Sequence, residues 1–218
     1  MKKIFFIAIM LSLSISSNAQ VNLQSGGSTL SFRKSSEFSD KTISGSKYFD
    51  EGFKIAKVNK GTQDFSIRYN AYSDIMEYKN GNDLLDLIKE QNTYFQFSNG
   101  DIYELMNYTF KGKEVSRYNQ VLLDKNNVKI SKYKSIKLIE AKPAATMYDA
   151  PTAAAYKPNE DIYFVTYNNQ TVEFDGKSKV LEKLIPSKAS EIKQFFKQNK
   201  IKENDGDMIK VGNFLATL

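Results

Sequence analysis

The side chains in this sequence that could support catalysis are carboxylates, lysines, serines and tyrosines, because histidine and cysteine are absent. Two local pairs, Asp74 with Glu77 and Asp101 with Glu104, carry the acidic groups that glycoside hydrolysis requires. In a β-strand, residues three apart point to opposite faces, so neither pair converges by itself. A carboxylate-based hydrolase is therefore the weakest of three functional hypotheses, and we expect a non-catalytic protein.

The absence of histidine and cysteine also excludes several kinds of site. Serine–histidine and cysteine–histidine nucleophile systems, thiolate chemistry, histidine-bearing zinc sites and disulfides all require residues that the chain lacks. The acidic run Glu203–Asp207 lacks the alternating ligands and terminal glutamate of an EF-hand calcium loop. It is more typical of a turn before a helix, so the sequence predicts neither a metal nor a cofactor.

A cluster of aromatic and polar residues is the best candidate for binding. Tyr69, Tyr72 and Tyr78 surround Arg68 and Asn70, and aromatic rings on an exposed sheet face can stack on sugars or line a groove. Strands also favour aromatic residues for packing alone, so a purely structural role is the alternative. We predict these five residues as a ligand-binding surface.

The first nineteen residues have the pattern of an export signal. Lys2 and Lys3 precede the apolar run Ile4–Leu13, and Ser17-Asn18-Ala19 places small residues at a cleavage site. The run is about ten residues long, whereas a membrane-spanning helix needs about twenty. We therefore expect cleavage near Ala19–Gln20, no transmembrane segment in the mature chain, and location in the periplasm or outside the cell.

The chain is basic, with a formal charge of +6 and a pI near 9.1. Lys2 and Lys3 contribute two of these charges, so the mature chain would carry +4. The lysines are interleaved with carboxylates, as on solvated strand faces, so nucleic acid is not an expected partner. Peripheral contact with an anionic envelope surface remains compatible with this charge.

Four segments follow from composition and periodicity. Residues 20–44 are predicted to be a flexible lead-in, with ordered structure beginning near Gly45 or Tyr48. Residues 45–176 alternate apolar and polar positions between turn signals, which predicts an antiparallel meander forming a curved sheet or partial barrel. Within it, the proline- and alanine-rich residues 143–158 predict a long loop. Residues 177–218 have helical spacing and predict two to three short helices packed on the sheet.

Individual signals support this organisation. Asn80-Gly81 and Asn99-Gly100 favour tight hairpin turns, and Lys111-Gly112, Asn126-Asn127 and Asn168-Asn169 give weaker turn signals. Residues 84–89 suit either a strand or a helical turn. Ser187 is predicted to cap the second helix, and Asn204 or Asp205 the third.

The segment Ile67–Tyr78 (IRYNAYSDIMEY) resembles a strand-pair motif of small uncharacterised exported proteins of gram-negative bacteria. In that family an RYN-y-D-ME strand pair follows a G-x-x-Y-x-x-E/D-x-F segment, which here is Gly45–Phe53 with the acidic residue displaced. The resemblance extends to the tail at Ile192–Ile201 and implies export of a domain covering most of the mature chain. It implies no activity and transfers no site residue.

Two binding hypotheses therefore stand ahead of the hydrolase. The first is a soluble exported protein that binds a partner protein, peptide or apolar ligand through a curved aromatic-rich sheet. The second is a periplasmic lipid or lipoprotein carrier, which the chain resembles in size, export and antiparallel meander. A continuous apolar inner face open to solvent would favour the carrier, and a filled core would favour the partner-binding protein.

Overall fold

An antiparallel sheet of twelve strands dominates the molecule, and three short helices follow it at the C-terminus. The computed structural model describes residues 20–35, 43–90, 93–144 and 150–218, so the predicted signal peptide lies outside the described residues. The predicted mainly β fold, an antiparallel meander with C-terminal helices, is confirmed. The large sheet is curved and does not close.

Fourteen strands are described in all: β1 (Gln20–Ser25), β2 (Ser28–Lys34), β3 (Lys54–Val58), β4 (Asp64–Asn70), β5 (Ile75–Asn80), β6 (Asp83–Leu87), β7 (Tyr94–Phe97), β8 (Ile102–Phe110), β9 (Lys113–Lys125), β10 (Val128–Tyr133), β11 (Ile136–Ile139), β12 (Ala155–Pro158), β13 (Ile162–Tyr167) and β14 (Gln170–Glu173). The large sheet has the order β1-β2-β6-β5-β4-β3-β7-β8-β9-β10-β13-β14. Strands β11 and β12 form a separate two-stranded sheet.

Three of the weaker turn signals produce tight two-residue hairpins. Asn126 and Asn127 have φ angles of 48° and 61°, and Asn168 and Asn169 have 47° and 67°. Lys111 and Gly112 also both have positive φ. Positive φ at both central positions is typical of the type I′ turn, whose twist matches that of the flanking strands. These turns join β8 to β9, β9 to β10 and β13 to β14.

The N-terminal lead-in differs from the sequence prediction. Residues 20–34 form the β1–β2 hairpin around Gly26 and Gly27, whose φ angles are 55° and 78°. Leu30 and Phe32 are only 2% and 1% exposed. Ordered structure therefore includes Gln20–Lys34 and does not begin near Gly45, because this hairpin buries its own apolar side chains. Residues 36–42 of the predicted lead-in lie outside the described residues.

The first hairpin folds back over the curved sheet. Ser25 Oγ donates a 2.6 Å hydrogen bond to the Val58 carbonyl oxygen at the end of β3. A Cβ atom on Gly26 would lie 1.8 Å from the Asn59 carbonyl oxygen, so only glycine allows this approach. The hairpin thereby covers one end of the inner face.

The inner face of the first nine strands is filled by its own side chains. Thirteen residues there are at most 7% exposed: Leu30, Phe32, Ala56, Val58, Phe65, Ile67, Met76, Leu85, Leu87, Phe95, Phe97, Leu105 and Tyr118. Their burial supplies hydrophobic stabilisation of about 25 cal/mol per Å² of apolar surface. This face is a packed core.

Asp74 ties the curved sheet together beyond its ladder hydrogen bonds. Its carboxylate accepts hydrogen bonds from the Tyr69 hydroxyl at 2.8 Å and from the Tyr118 backbone N–H at 3.2 Å, and it pairs with Lys89. Lys89 Nζ also donates to the Ser116 carbonyl oxygen at 2.9 Å. These contacts join the β4–β5 turn to the part of β9 that extends beyond β10.

Residues 84–89 and 143–158 can now be compared with their sequence predictions. Residues 84–89, which suited either a strand or a helical turn, contribute mainly to strand β6. In the predicted loop at 143–158, Ala155–Pro158 is strand β12, which pairs with β11. Residues 145–149 of that loop lie outside the described residues.

The helices are α1 (Ser178–Leu184), α2 (Ala189–Gln198) and α3 (Asp205–Leu215), with a 3₁₀ turn at Pro186–Lys188. Asn204 is the N-cap of α3, as predicted, and its side chain accepts a 3.0 Å hydrogen bond from the Asp207 N–H. Ser187 lies in the 3₁₀ turn, so the predicted cap of α2 is wrong. Lys188 occupies that N-cap and makes no side-chain cap hydrogen bond.

The three helices pack on one face of the second half of the sheet. Val128, Ile130 and Val165 of this face are fully buried against a cluster that includes Leu181, Ile192, Met208 and Val211. Helix α3 is also tied to the sheet by Asp205, which accepts hydrogen bonds from Lys132 Nζ at 2.7 Å and from the Tyr163 hydroxyl at 2.9 Å. The described helices do not cover the opposite face of these strands.

Asp205 should make helix docking sensitive to acid. Burial favours its neutral form, but hydrogen bonds from Lys132 and Tyr163 outweigh that effect and lower the pKa below the ordinary value of 3.8. A lowered folded-state pKa stabilises the fold above the unfolded-state pKa, and this stabilisation is lost as the pH falls through the folded-state pKa. Urea unfolding should show the stability difference between the wild type and Asp205→Asn narrowing from about pH 5 to about pH 2. A constant difference would contradict this role.

Candidate functional site

The five residues predicted as a binding surface do not form one surface. Arg68 and Asn70 lie on the outer face of β4, where both contact Glu77. Tyr69 and Tyr78 lie on the inner face, and Tyr78 packs 5.2 Å from the Phe32 ring. Tyr72 follows β4 and is 43% exposed, with its ring 5.0 Å from that of Tyr156. Strand alternation divides the set between two faces and a turn.

Arg68 is neutralised within the fold. Its Nη2 and Nε atoms lie 2.6 Å and 3.0 Å from Glu77 Oε2, and the Glu77 side chain is 1% exposed. Tyr48 and Asn70 donate further hydrogen bonds to the same carboxylate. The guanidinium also lies 3.8 Å from the Tyr48 ring centroid and 4.4 Å from that of Phe53. These contacts make Arg68 a component of a buried ion pair.

A small cavity is lined by residues from both faces of β4, Arg68 from the outer face and Ile67 and Tyr69 from the inner face, and we call it the inner cavity. Its volume is about 210 Å³. Its walls come from β3, β4, β7 and β8 and the segments beside them: Phe49, Asp50, Gly52, Lys54, Ile67, Arg68, Tyr69, Phe97, Asp101, Tyr103 and Lys134. Arg68 and Tyr69 are the two predicted site residues that it includes.

A larger groove lies on the face opposite the helices, and we call it the outer groove. It has a volume of about 800 Å³ and is lined by Tyr72, Phe110, Lys111, Arg117, Tyr133, Ser135, Ile136, Lys137, Pro158, Asn159, Glu160, Ile162 and Glu173. Beneath it lies a separate apolar cluster that includes Met106, Tyr108 and Phe164. Residues of β11 and β12 form one wall, so the small sheet gives the groove its depth.

Arg117 is a cation of the outer groove that two aromatic rings hold in place. Its Cζ atom lies 4.8 Å from the Phe110 ring centroid and 4.5 Å from that of Tyr133. Cation–π contacts of this kind orient a guanidinium without neutralising it. In the described part of the chain, no carboxylate lies within salt-bridge distance of Arg117. Arg117 is thus half-buried, held by two rings, and able to pair with an external anion.

The hydroxyl of Tyr108 lies beneath Arg117. Burial raises the pKa of Tyr108 to about 12, although Asn119 and Arg117 both favour its ionised form. Tyr108 therefore remains a neutral phenol at physiological pH, and it donates a 3.3 Å hydrogen bond to Asn119 Oδ1. It does not supply the missing negative charge for Arg117.

The predicted carboxylate pairs are separated in the fold. Glu77 faces Arg68 on the outer side, whereas Asp74 contacts Tyr69 and Lys89. Burial raises the pKa of Asp74, and hydrogen bonds from Lys89, Tyr69 and the Tyr118 N–H oppose that effect without cancelling it. Asp101 accepts from Gln120 at 3.0 Å, and Glu104 pairs with Lys129. Neither pair shares a cleft.

Within residues 20–35, 43–90, 93–144 and 150–218, no group of three or more acidic, histidine or cysteine side chains could hold a metal ion. No helix in these ranges is long and apolar enough to cross a membrane. Comparison with known protein families, curated proteins and solved structures found no match.

Proposed function

We propose that this chain is a non-catalytic exported protein that binds a partner polypeptide in the outer groove. The observation that supports this most strongly is Arg117, a half-buried guanidinium between two aromatic rings without a carboxylate partner among the described residues. Removing a charge from water is costly unless another charge compensates for it. A carboxylate from a bound partner would provide that compensation through paired hydrogen bonds.

The other groove residues favour a polypeptide as the occupant. Lys111 and Lys137 bring further positive charge, but Glu160 and Glu173 also line the groove. Charges of both signs suit a polypeptide with acidic and basic side chains better than a polyanion such as nucleic acid. Tyr72 lines the groove with an exposed side chain and offers an aromatic contact of the kind enriched at protein interfaces.

The packed inner face argues against the lipid-carrier alternative. Its apolar residues contact one another, and the inner cavity, which Ile67 and Phe97 of this face help to line, has a volume of only about 210 Å³. Pockets for ligands of drug size usually have volumes of about 300–1,000 Å³. An acyl chain would have to displace core side chains to enter.

The hydrolase alternative lacks a suitable acid. Asp50 and Asp101 both line the inner cavity, but hydrogen bonding to Lys54 lowers the pKa of Asp50. A general acid in glycoside hydrolysis needs a raised pKa. Asp74 has a raised pKa, but it lines neither the inner cavity nor the outer groove.

Peptide binding tests this proposal directly. The probes are fluorescent heptapeptides with a central glutamate flanked by leucine or tyrosine, each matched with a peptide carrying glutamine instead. Fluorescence polarisation should show that Arg117→Met weakens binding of the glutamate peptides by about tenfold, since a charged hydrogen bond contributes about 1.5–3 kcal/mol.

Arg33→Met is the matched control, because Arg33 is 59% exposed, lies outside the groove and faces Asp86. It should leave the affinity unchanged. Equal binding of the glutamate and glutamine peptides, or equal effects of the two arginine substitutions, would contradict the proposal.

A further inference from the structure

We infer that the inner cavity is a second binding site, which takes a small zwitterion such as a free α-amino acid. This inference does not depend on the outer groove. It rests on one uncompensated carboxylate and one uncompensated ammonium group that line the same small cavity together with aromatic side chains.

Asp101 provides the negative charge. Its Oδ2 accepts a 2.7 Å hydrogen bond from Asn99 Nδ2, and its Oδ1 accepts a 3.0 Å hydrogen bond from Gln120 Nε2. Both donors are neutral amides, so they orient the carboxylate without cancelling its charge. Each carboxylate oxygen can accept a further hydrogen bond, which leaves room for a ligand ammonium.

Lys134 provides the positive charge. Its Nζ lies 4.3 Å from the Phe49 ring centroid, and no acidic side chain in the described ranges forms a salt bridge with it. The positive charge of Lys134 helps to lower the pKa of Asp205, but the Asp205 carboxylate already accepts hydrogen bonds from Lys132 and Tyr163. The Lys134 ammonium is therefore available to pair with a ligand carboxylate.

The remaining charges of the cavity are paired within the fold. Lys54 Nζ lies 2.8 Å from Asp50 Oδ2, and Arg68 Nη2 lies 2.6 Å from Glu77 Oε2. The cavity thus offers one free charge of each sign. A ligand with only a negative or only a positive charge would leave either the Asp101 carboxylate or the Lys134 ammonium without a partner. A zwitterion can pair with both.

Aromatic rings provide a surface for the ligand side chain. Tyr69 and Tyr103 lie 5.2 Å apart, and Phe97 lies 5.8 Å from Tyr103. Phe49 is 42% exposed at the cavity wall, so one side of the cavity is open to solvent. A volume of about 210 Å³ lies below the usual range for drug-sized ligands and suits a single small molecule.

Isothermal titration calorimetry of the whole mature chain tests the inference. The probes are L-alanine, L-leucine and L-phenylalanine, each compared with the acid that lacks its amino group and the amine that lacks its carboxylate. At least one amino acid should bind about tenfold more tightly than both of its analogues, since each charge contributes a charge-assisted hydrogen bond. If no amino acid exceeds its analogues, the inference is wrong.

Two substitutions locate the binding. Asp101→Asn and Lys134→Met should each weaken amino-acid binding by about tenfold, while Lys137→Met, in the outer groove, should not change it. Circular dichroism checks that the variants remain folded. If a variant does not fold, the comparison of amino acids with their analogues on the wild-type chain still tests the inference. Amino-acid binding that survives both cavity substitutions would overturn the assignment. The heptapeptide assay is independent, so either proposal can fail alone.

Discussion

Replacing Gly212 by leucine is expected to lower the free energy of unfolding by about 3 kcal/mol, at the upper end of the usual cost of overpacking a core. Gly212 is buried in α3, where the helix contacts β9 and β10. A Cβ atom there would lie 2.4 Å from Ile130 Cγ1 and 2.5 Å from Leu123 Cδ2. Both distances are below van der Waals contact, so a larger side chain must displace Ile130 and Leu123 or move the helix away from the sheet.

Gly206 is the matched control in the same helix. It is exposed, and the nearest atom to a Cβ there is Asn204 Oδ1 at 3.4 Å. Gly206→Ala should therefore stabilise the protein by roughly 0.5 kcal/mol, because alanine has the higher helix propensity. Urea unfolding followed by circular dichroism measures both effects. A Gly212→Leu variant as stable as the wild type would show that α3 does not dock as described.

Replacing Glu77 by glutamine should cost about 3 kcal/mol, because it leaves the Arg68 guanidinium buried without a counter-charge. The Arg68 side chain is only 14% exposed and that of Glu77 is 1% exposed. The control is Glu191→Gln, which removes the carboxylate of the exposed surface pair with Lys188 and should change the free energy of unfolding far less than Glu77→Gln does.

The double variant Arg68→Met with Glu77→Leu separates lone-charge burial from loss of packing. It removes both charges, so its unfolding free energy should be higher than that of Glu77→Gln alone. The hydrogen-bond donors Tyr48 and Asn70 lose their acceptor, so recovery to the wild-type value is not expected. A double variant less stable than Glu77→Gln would contradict the assignment of the cost to an unpaired guanidinium.

Much of the fold follows from local sequence signals. Paired asparagines and Lys111-Gly112 indicate hairpins because positive φ is a local backbone property. Asn204 indicates the start of α3 because a cap depends on the next three residues. The β1–β2 hairpin differs from the predicted flexible lead-in, although Gly26-Gly27 has the residues of a type I′ turn and Leu30 and Phe32 alternate after it. Its polar composition concealed that pattern.

The site was less accessible from the sequence, because it depends on contacts between distant segments. The predicted cluster around Arg68 is continuous in sequence, but strand alternation places its members in different environments. Arg117, Phe110 and Tyr133 come from three strands, and no local pattern joins them. Ion pairing also determines which arginine can bind an external anion, and it cannot be read from the sequence. Arg68 is paired with Glu77, whereas Arg117 is not paired with any described carboxylate.

Native mass spectrometry of the protein purified from its own cells tests whether the outer groove holds a partner polypeptide. We expect a chain that begins at Gln20, carries no lipid, and retains a second polypeptide that Arg117→Met releases and Arg33→Met does not. A co-purifying lipid, or a bound polypeptide unaffected by Arg117→Met, would contradict binding through the outer groove.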